Sequence, residues 1–182
     1  LVALARQKPN GLSVGTTGNA SLQAFATVAL QRAAGIDLLG VPYKGGAPLL
    51  NDLLGGQLDL GMMTLPAAMA QVRAGKLTML GVLSDKRPTS APELPTVNES
   101  QAVKGVVIEI WAALAGPPQM PAGVVDRISR AVQSILADKE FTERRAKLGD
   151  MAVPFQTPAE FGRFLLAEEE RYRSLATGLK LE

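Results

Sequence analysis

The chain contains no histidine and no cysteine, and this decides first what chemistry its side chains can perform. It removes the commonest general base, the commonest metal ligand and every Ser–His or Cys–His pairing. What remains with chemical meaning is a run of hydroxyls and glycines, Gly15-Thr16-Thr17-Gly18-Asn19-Ala20-Ser21, directly after the apolar Leu12-Ser13-Val14. The apolar piece reads as a short buried strand, the run as a tight turn, and Ser21 as the start of a helix. Leu22, Phe25, Ala26, Ala29, Leu30 and Ala33 recur at helical spacing and give that helix one apolar face. Such a turn sets the hydroxyls of Thr16, Thr17 and Ser21, with unpaired backbone N–H groups, at the positive end of a helix. That is a place for a carboxylate. A purely local reading stands beside it, in which Asn19 or Ser21 caps the helix and the glycines make the bend.

A second glycine turn, Tyr43-Lys44-Gly45-Gly46, and Thr64 after a later apolar run belong to the same pattern. Lys44 could pair with a second carboxylate or be a solvated loop lysine. Tyr43 reads as surface packing, Asp59 as a polar residue at the sheet rim, and Trp111 as packing near a hinge. No GxxxxGK[ST] run and no GxGxxG follows the first strand, and no pair of carboxylates stands at a useful spacing. No metal or cofactor is expected. Lys and Arg exceed Asp and Glu by 19 − 17 = +2 without a dense basic run, which argues against a nucleic-acid partner.

These residues must be positioned by the elements around them. From Leu12 to about Leu83 strand and helix alternate: strand Leu12–Gly15, helix Ser21–Ala34, strand Ile36–Val41, a helix bearing Leu49, Leu50, Leu53 and Leu54, strand Leu58–Met63, a helix opened by Pro66, and strand Leu77–Leu83. Gly35, Gly56 and Gly75 stop the three helices. Parallel strands joined by helical crossovers imply a sheet covered on both faces. In such a sheet ligands sit outside the carboxyl ends of the strands, where all three loops fall. Ser84–Val97, with Pro88, Pro92 and Pro95, reads as an extended surface segment, and Val106–Leu114 as a long strand crossing between lobes. Beyond Gly116-Pro117-Pro118 the composition is helical. One helix carries Val124, Val125, Ile128, Val132, Ile135 and Leu136 on one face, another carries Phe141 and Leu148 and stops at Gly149, and Met151–Phe155 is the one candidate strand. Thr157-Pro158-Ala159-Glu160 is a capping box that starts a last helix with Phe161, Phe164, Leu165, Tyr172 and Leu175 inward.

Three segments taken in order resemble the tripartite tricarboxylate transporter receptors, the TctC or Bug family of extracytoplasmic solute-binding proteins. They are Gly15–Ser21, Val41–Pro48 running on to Asp52-Leu53-Leu54-Gly55-Gly56-Gln57-Leu58-Asp59, and Glu93–Glu99; Gly116–Pro121 and its helices add to the likeness. The resemblance implies a two-lobed, type II periplasmic-binding-protein fold that closes on a small carboxylic acid without chemistry. It implies a periplasmic location and membrane transporter subunits as partners. Residues 12–107 would be a complete α/β lobe, 108–118 the crossing, and 1–11 with 119–182 a mostly helical remnant of the other lobe. The carboxylate would sit against Thr16, Thr17, Gly18, Asn19, Ala20 and Ser21, with Lys44, Gly45 and Gly46 as a neighbouring wall and Thr64 at the edge.

Two other functions use the same plan: an α/β enzyme holding an anion on this loop, and the effector-sensing domain of a regulator. The opening Leu1–Gly11 reads as the end of an amphipathic helix, so the sequence is expected to start within a longer protein. The apolar stripes at 124–136 and 161–175 should then seek a partner, either the rest of that protein or a second copy with exchanged tails.

Overall fold

A computed structural model of the chain describes residues 1–108, 111, 113–147 and 154–176. Three strands, β1 (Ser13–Thr16), β2 (Leu39–Pro42) and β3 (Leu60–Gly61), form one parallel sheet in the order β2-β1-β3. Helices α1 (Val2–Gln7), α2 (Leu22–Ala34), α3 (Gly46–Leu54) and α4 (Leu65–Arg73) accompany the strands, and α5 (Ala122–Ala137), α6 (Lys139–Lys147) and α7 (Pro158–Ala176) make the tail. The fold is open α/β with a parallel sheet, as the strand and helix alternation requires.

Local chemistry explains the boundaries. Ser21 caps α2 by accepting from the Ala24 N–H at 3.2 Å, and Gly35 ends it in the left-handed region at φ 59°. Pro66 lies in the first turn of α4, where its missing N–H costs nothing. Gly15 has a different role, because a Cβ there would lie 2.7 Å from Leu58 Cδ1 and 2.9 Å from Leu49 Cγ. Its bare backbone lets α3 lie flush on the sheet. The main core joins Ala5, Val14, Leu30, Ala34, Ile36, Leu38, Val103 and Val106.

Several expectations are corrected. The apolar face of α2 turns slightly from the expected one: Ala34 is buried and Ala33 exposed. Leu77–Leu83 is not a strand; only Val82 bridges, in parallel, to Thr96. The proline-rich segment that supplies this bridge is correspondingly less superficial than its composition suggests, with Pro88, Ala91, Leu94 and Thr96 buried. The described residues of 106–114 form no strand, while 109, 110 and 112 lie outside the described residues. Position 106 is held instead by Asn98, whose side-chain amide donates to Val106 O at 2.8 Å and accepts from Val106 N at 3.0 Å. Ile108 N then donates to Leu83 O at 2.7 Å.

Helix α1, grouped with the tail in the sequence reading, packs on the α/β core: Ala5 is fully buried there and Arg6 donates to Ala34 O at 2.7 Å. In the tail, Phe161, Phe164 and Tyr172 are partly covered, but Leu165 is exposed and no residue of α5 is buried. The expected helix stop at Leu148-Gly149, most of the candidate strand at 151–155 and the Leu175 side chain lie outside the described residues.

Candidate functional site

The site is assembled by topology before any side chain is considered. Because β1, β2 and β3 are parallel, each βα connection begins at the same edge of the sheet. The loops 17–21, 43–45 and 62–64 therefore share that edge, and so do the N-termini of α2, α3 and α4. Tyr43 N donates to Thr16 O at 2.8 Å and Met62 N to Gly15 O at 2.9 Å, which ties the outer loops to the end of the central strand.

None of these three helices carries an acidic residue in its first turn. At α3 the N-cap is Gly45, which has no side chain, and at α4 the N-cap Thr64 makes no side-chain cap bond. Only α2 is capped, by Ser21. Each end contributes a partial positive charge, so the edge favours an anion without a titratable cation in the loops' interior.

The first loop is internally wired. Thr16 Oγ1 donates to Gly18 O at 3.4 Å, Ser21 Oγ to Gly18 O at 2.8 Å, and Thr17 Oγ1 to Gln23 Oε1 at 2.9 Å. All three hydroxyl hydrogens thus point at loop or helix acceptors. The Leu22 and Gln23 N–H groups, in the first turn of α2, have no intrahelical acceptor by construction. Thr16 is buried, Thr17, Gly18 and Ser21 half-buried, and Asn19 and Ala20 exposed. Gly18 has φ 122°, a conformation that L side chains rarely adopt. In the second loop Lys44 is exposed while Gly45 and Gly46 are half-buried, and Thr64 is half-buried at the third. The structure therefore brings all ten expected residues to one edge.

Two features escaped the sequence reading. Gln23 engages Thr17 from the second position of α2. Tyr43 donates its hydroxyl to Asp52 Oδ2 at 2.8 Å, bracing the second loop against α3; that bond, then burial and the Asp52 charge, hold the phenol pKa up. The spacing of Tyr43 and Asp52 gave no signal for either.

Asp59 stands at the opposite rim, accepting from Ser13 N at 2.8 Å and Ser13 Oγ at 2.7 Å, bonds that hold its pKa down. Trp111 packs edge-on against Phe161 and Phe164 of α7. Among the described residues no group of three His, Cys, Asp or Glu could hold a metal ion, and no helix is long and apolar enough to cross a membrane.

A sheet of parallel βα units with its loops gathered at one edge is the lobe architecture of periplasmic binding proteins, and solved structures of that class match it. The chain superposes on Rpa4515 of R. palustris with adipate at a TM-score of 0.86, with 28% identity, covering 97% of this chain and 58% of that one. For the periplasmic binding protein BugD the TM-score is 0.83 and the identity 31%, covering 100% of this chain and 60% of that one. In sequence, the UPF0065 protein of the TAR-I ttuE-ttuC' intergenic region of Agrobacterium vitis is 32% identical over 173 residues, 94% of this chain and 50% of the relative. Residues 1–180 match the description of the tripartite tricarboxylate transporter family receptor, and the chain belongs to that family. It spans about half the length of the curated relatives it matches.

Proposed function

We propose that the chain captures a small carboxylic acid for a tripartite tricarboxylate-type transporter, in the periplasm and without chemistry. In this reading residues 12–107, with α1 packed on them, form one ligand-binding lobe, 108–118 cross to the other, and 119–182 contribute helices to that second lobe. The observation that carries the reading is the shared edge of α2, α3 and α4, three helix N-termini with no first-turn carboxylate. Family membership supports it, and so does the adipate bound by Rpa4515. The ligand carboxylate meets the Leu22 and Gln23 amides and the hydroxyls of Thr16, Thr17 and Ser21, which turn from their internal acceptors at little cost because hydroxyl rotors are free. Asn19, Ala20 and Gly18 shape the bend, while Lys44, Gly45, Gly46 and Thr64 line its flanks.

Calorimetric titration of the full-length protein with adipate, succinate and benzoate tests this reading. Replacing Thr16 and Thr17 together by Val keeps shape but removes both hydroxyls. A hydrogen bond to a charged group is worth about 1.5–3 kcal/mol, so the expected loss of affinity is roughly tenfold or more. Unchanged affinity for the bound acid would remove the loop from the site.

A further inference from the structure

Helix α7 touches two regions far apart in the chain. Toward α2, Tyr172 packs edge-on against Phe25 with ring centroids 5.6 Å apart, and Arg32 Nη1 donates to Ser174 O at 3.5 Å. Phe25 lies one turn from Ser21, the cap of the candidate loop. Near the other end of α7, Phe161 and Phe164 hold the Trp111 ring at 5.7 and 5.8 Å. Trp111 Nε1 donates to Glu168 Oε2 at 3.3 Å, and Arg171 Nη1 to Glu168 Oε1 at 2.9 Å. Glu168 is only 7% exposed, the one buried carboxylate among the described residues, and both its oxygens are used. Phe161 and Tyr172 are eleven residues apart, about 16 Å along a helix. A single rigid rod thus joins the helix behind the anion loop to the segment after position 108.

The joint on the α2 side is not tightly filled. A groove of about 240 Å³, open to solvent, runs among Ala29, Gly105, Val106, Ile108, Arg171 and Ser174. Interfaces with a gap and edge-on rings shift by small slides more readily than interlocked cores do.

We propose that α7 is a strap that couples α2 to Trp111, so that anion capture at the α2 N-terminus is passed along α7 to the crossing segment. The role in capture rests on the carboxylate reading; the mechanical link does not. Hydrogen exchange on the full-length protein without ligand tests the link. Glu168→Gln loosens the Trp111 end, and the amides of α2 should then exchange faster by roughly threefold or more, while those of α3, which packs on β1 and β3, stay unchanged. Phe161→Leu is the milder second variant, used if Glu168→Gln raises exchange everywhere. Unchanged α2 exchange in a folded variant overturns the strap.

Trp111 is the sole tryptophan of the chain, so its fluorescence reports the other end. Adipate should alter it in the parent protein, and Tyr172→Ala should cut that change by half or more while calorimetric heat of adipate binding persists. Binding heat with no change of fluorescence in the parent overturns the coupling. Absence of binding heat with faster α2 exchange in Glu168→Gln defeats the carboxylate reading and leaves the link standing.

Discussion

Helix α3, nine residues long, sinks Leu49 to 0% exposure between the glycines of β1 and β3, whereas the sixteen residues of α5 bury nothing. Both are amphipathic. The difference lies in what each meets: α3 follows its own strand and returns to the sheet, while α5 follows a proline turn with no strand beside it among the described residues. Every buried hydrophobic residue described lies at or before Val106. Beyond it Leu114, Val124, Ile128, Ile135, Phe141, Leu165 and Leu166 are exposed. Helix ends differ in how they are grouped. The three helices at the sheet edge leave their first turns free of acid, but α6 and α7 place Glu140 and Glu160 there. Helices α1 and α5, away from that edge, also open without acid, so what sets the edge apart is that three such N-termini meet there.

The largest test of this contrast is a pair of truncations. Leu49→Ala should cost about 2–5 kcal/mol in the urea midpoint at constant m, the usual range for a buried leucine. Ile128→Ala, at 42% exposure, should cost under about 0.5 kcal/mol in the 182-residue chain, as surface changes do. Repeating Ile128→Ala in the full-length protein sharpens the comparison, since a cost near that of Leu49 would mean that residues outside this sequence cover α5.

Next in size is a charge placed in a first turn. Ala47 is exposed in the first turn of α3, so Ala47→Asp should stabilise the helix by about 0.3–1 kcal/mol through the dipole. The same carboxylate should weaken adipate binding by roughly tenfold, because it occupies the field that the ligand needs. Ala122→Asp at the start of α5 makes the same helix-end change away from the edge and should leave affinity unaltered. Equal losses of affinity from both variants would break the contrast.

Much of the α/β half was legible because its signals are local. Ser21, Gly35 and Pro66 mark ends through bonds made within a few residues, and strand–helix alternation alone carries all three loops to one edge. What failed was non-local. Leu77–Leu83 has a strand's composition, yet pairing depends on a partner, and only Thr96 comes close enough to bridge Val82. Val106 is held by the Asn98 side chain, a substitute for a ladder that no periodicity announces. At the candidate site, the gathering of the loops followed from strand order but bond directions did not: the choice of Gln23 and Gly18 as acceptors for Thr17, Thr16 and Ser21 depends on loop geometry. The burial of Glu168 likewise required Trp111, 57 residues away.

The smallest effect compares two capping boxes, one in each region. Thr96 and Glu99 exchange bonds at the short turn Val97–Glu99, and Thr157 and Glu160 do so at α7. Glu99 also takes a two-pronged contact from Arg87, at 2.7 Å from Nε and 2.6 Å from Nη2. Those bonds, with the Thr96 amide, bring its pKa down from 4.5 to about 2. Glu160 is lowered by its Thr157 bonds, with only the more distant charge of Arg163 to help. A carboxylate whose pKa is depressed on folding contributes stability above the unfolded value and loses it as pH falls through the folded one. The contribution of Glu99 should therefore be complete above about pH 4.5 and fade toward pH 2, and Glu99→Gln should flatten that part of the urea-midpoint curve. Glu160→Gln should change the curve less, because no guanidinium grips its carboxylate. In a carboxyl NMR titration Glu99 should take up its proton at lower pH than Glu160. The reverse order would mean that the Arg87 contact is lost in solution, and with it the electrostatic distinction between the two caps.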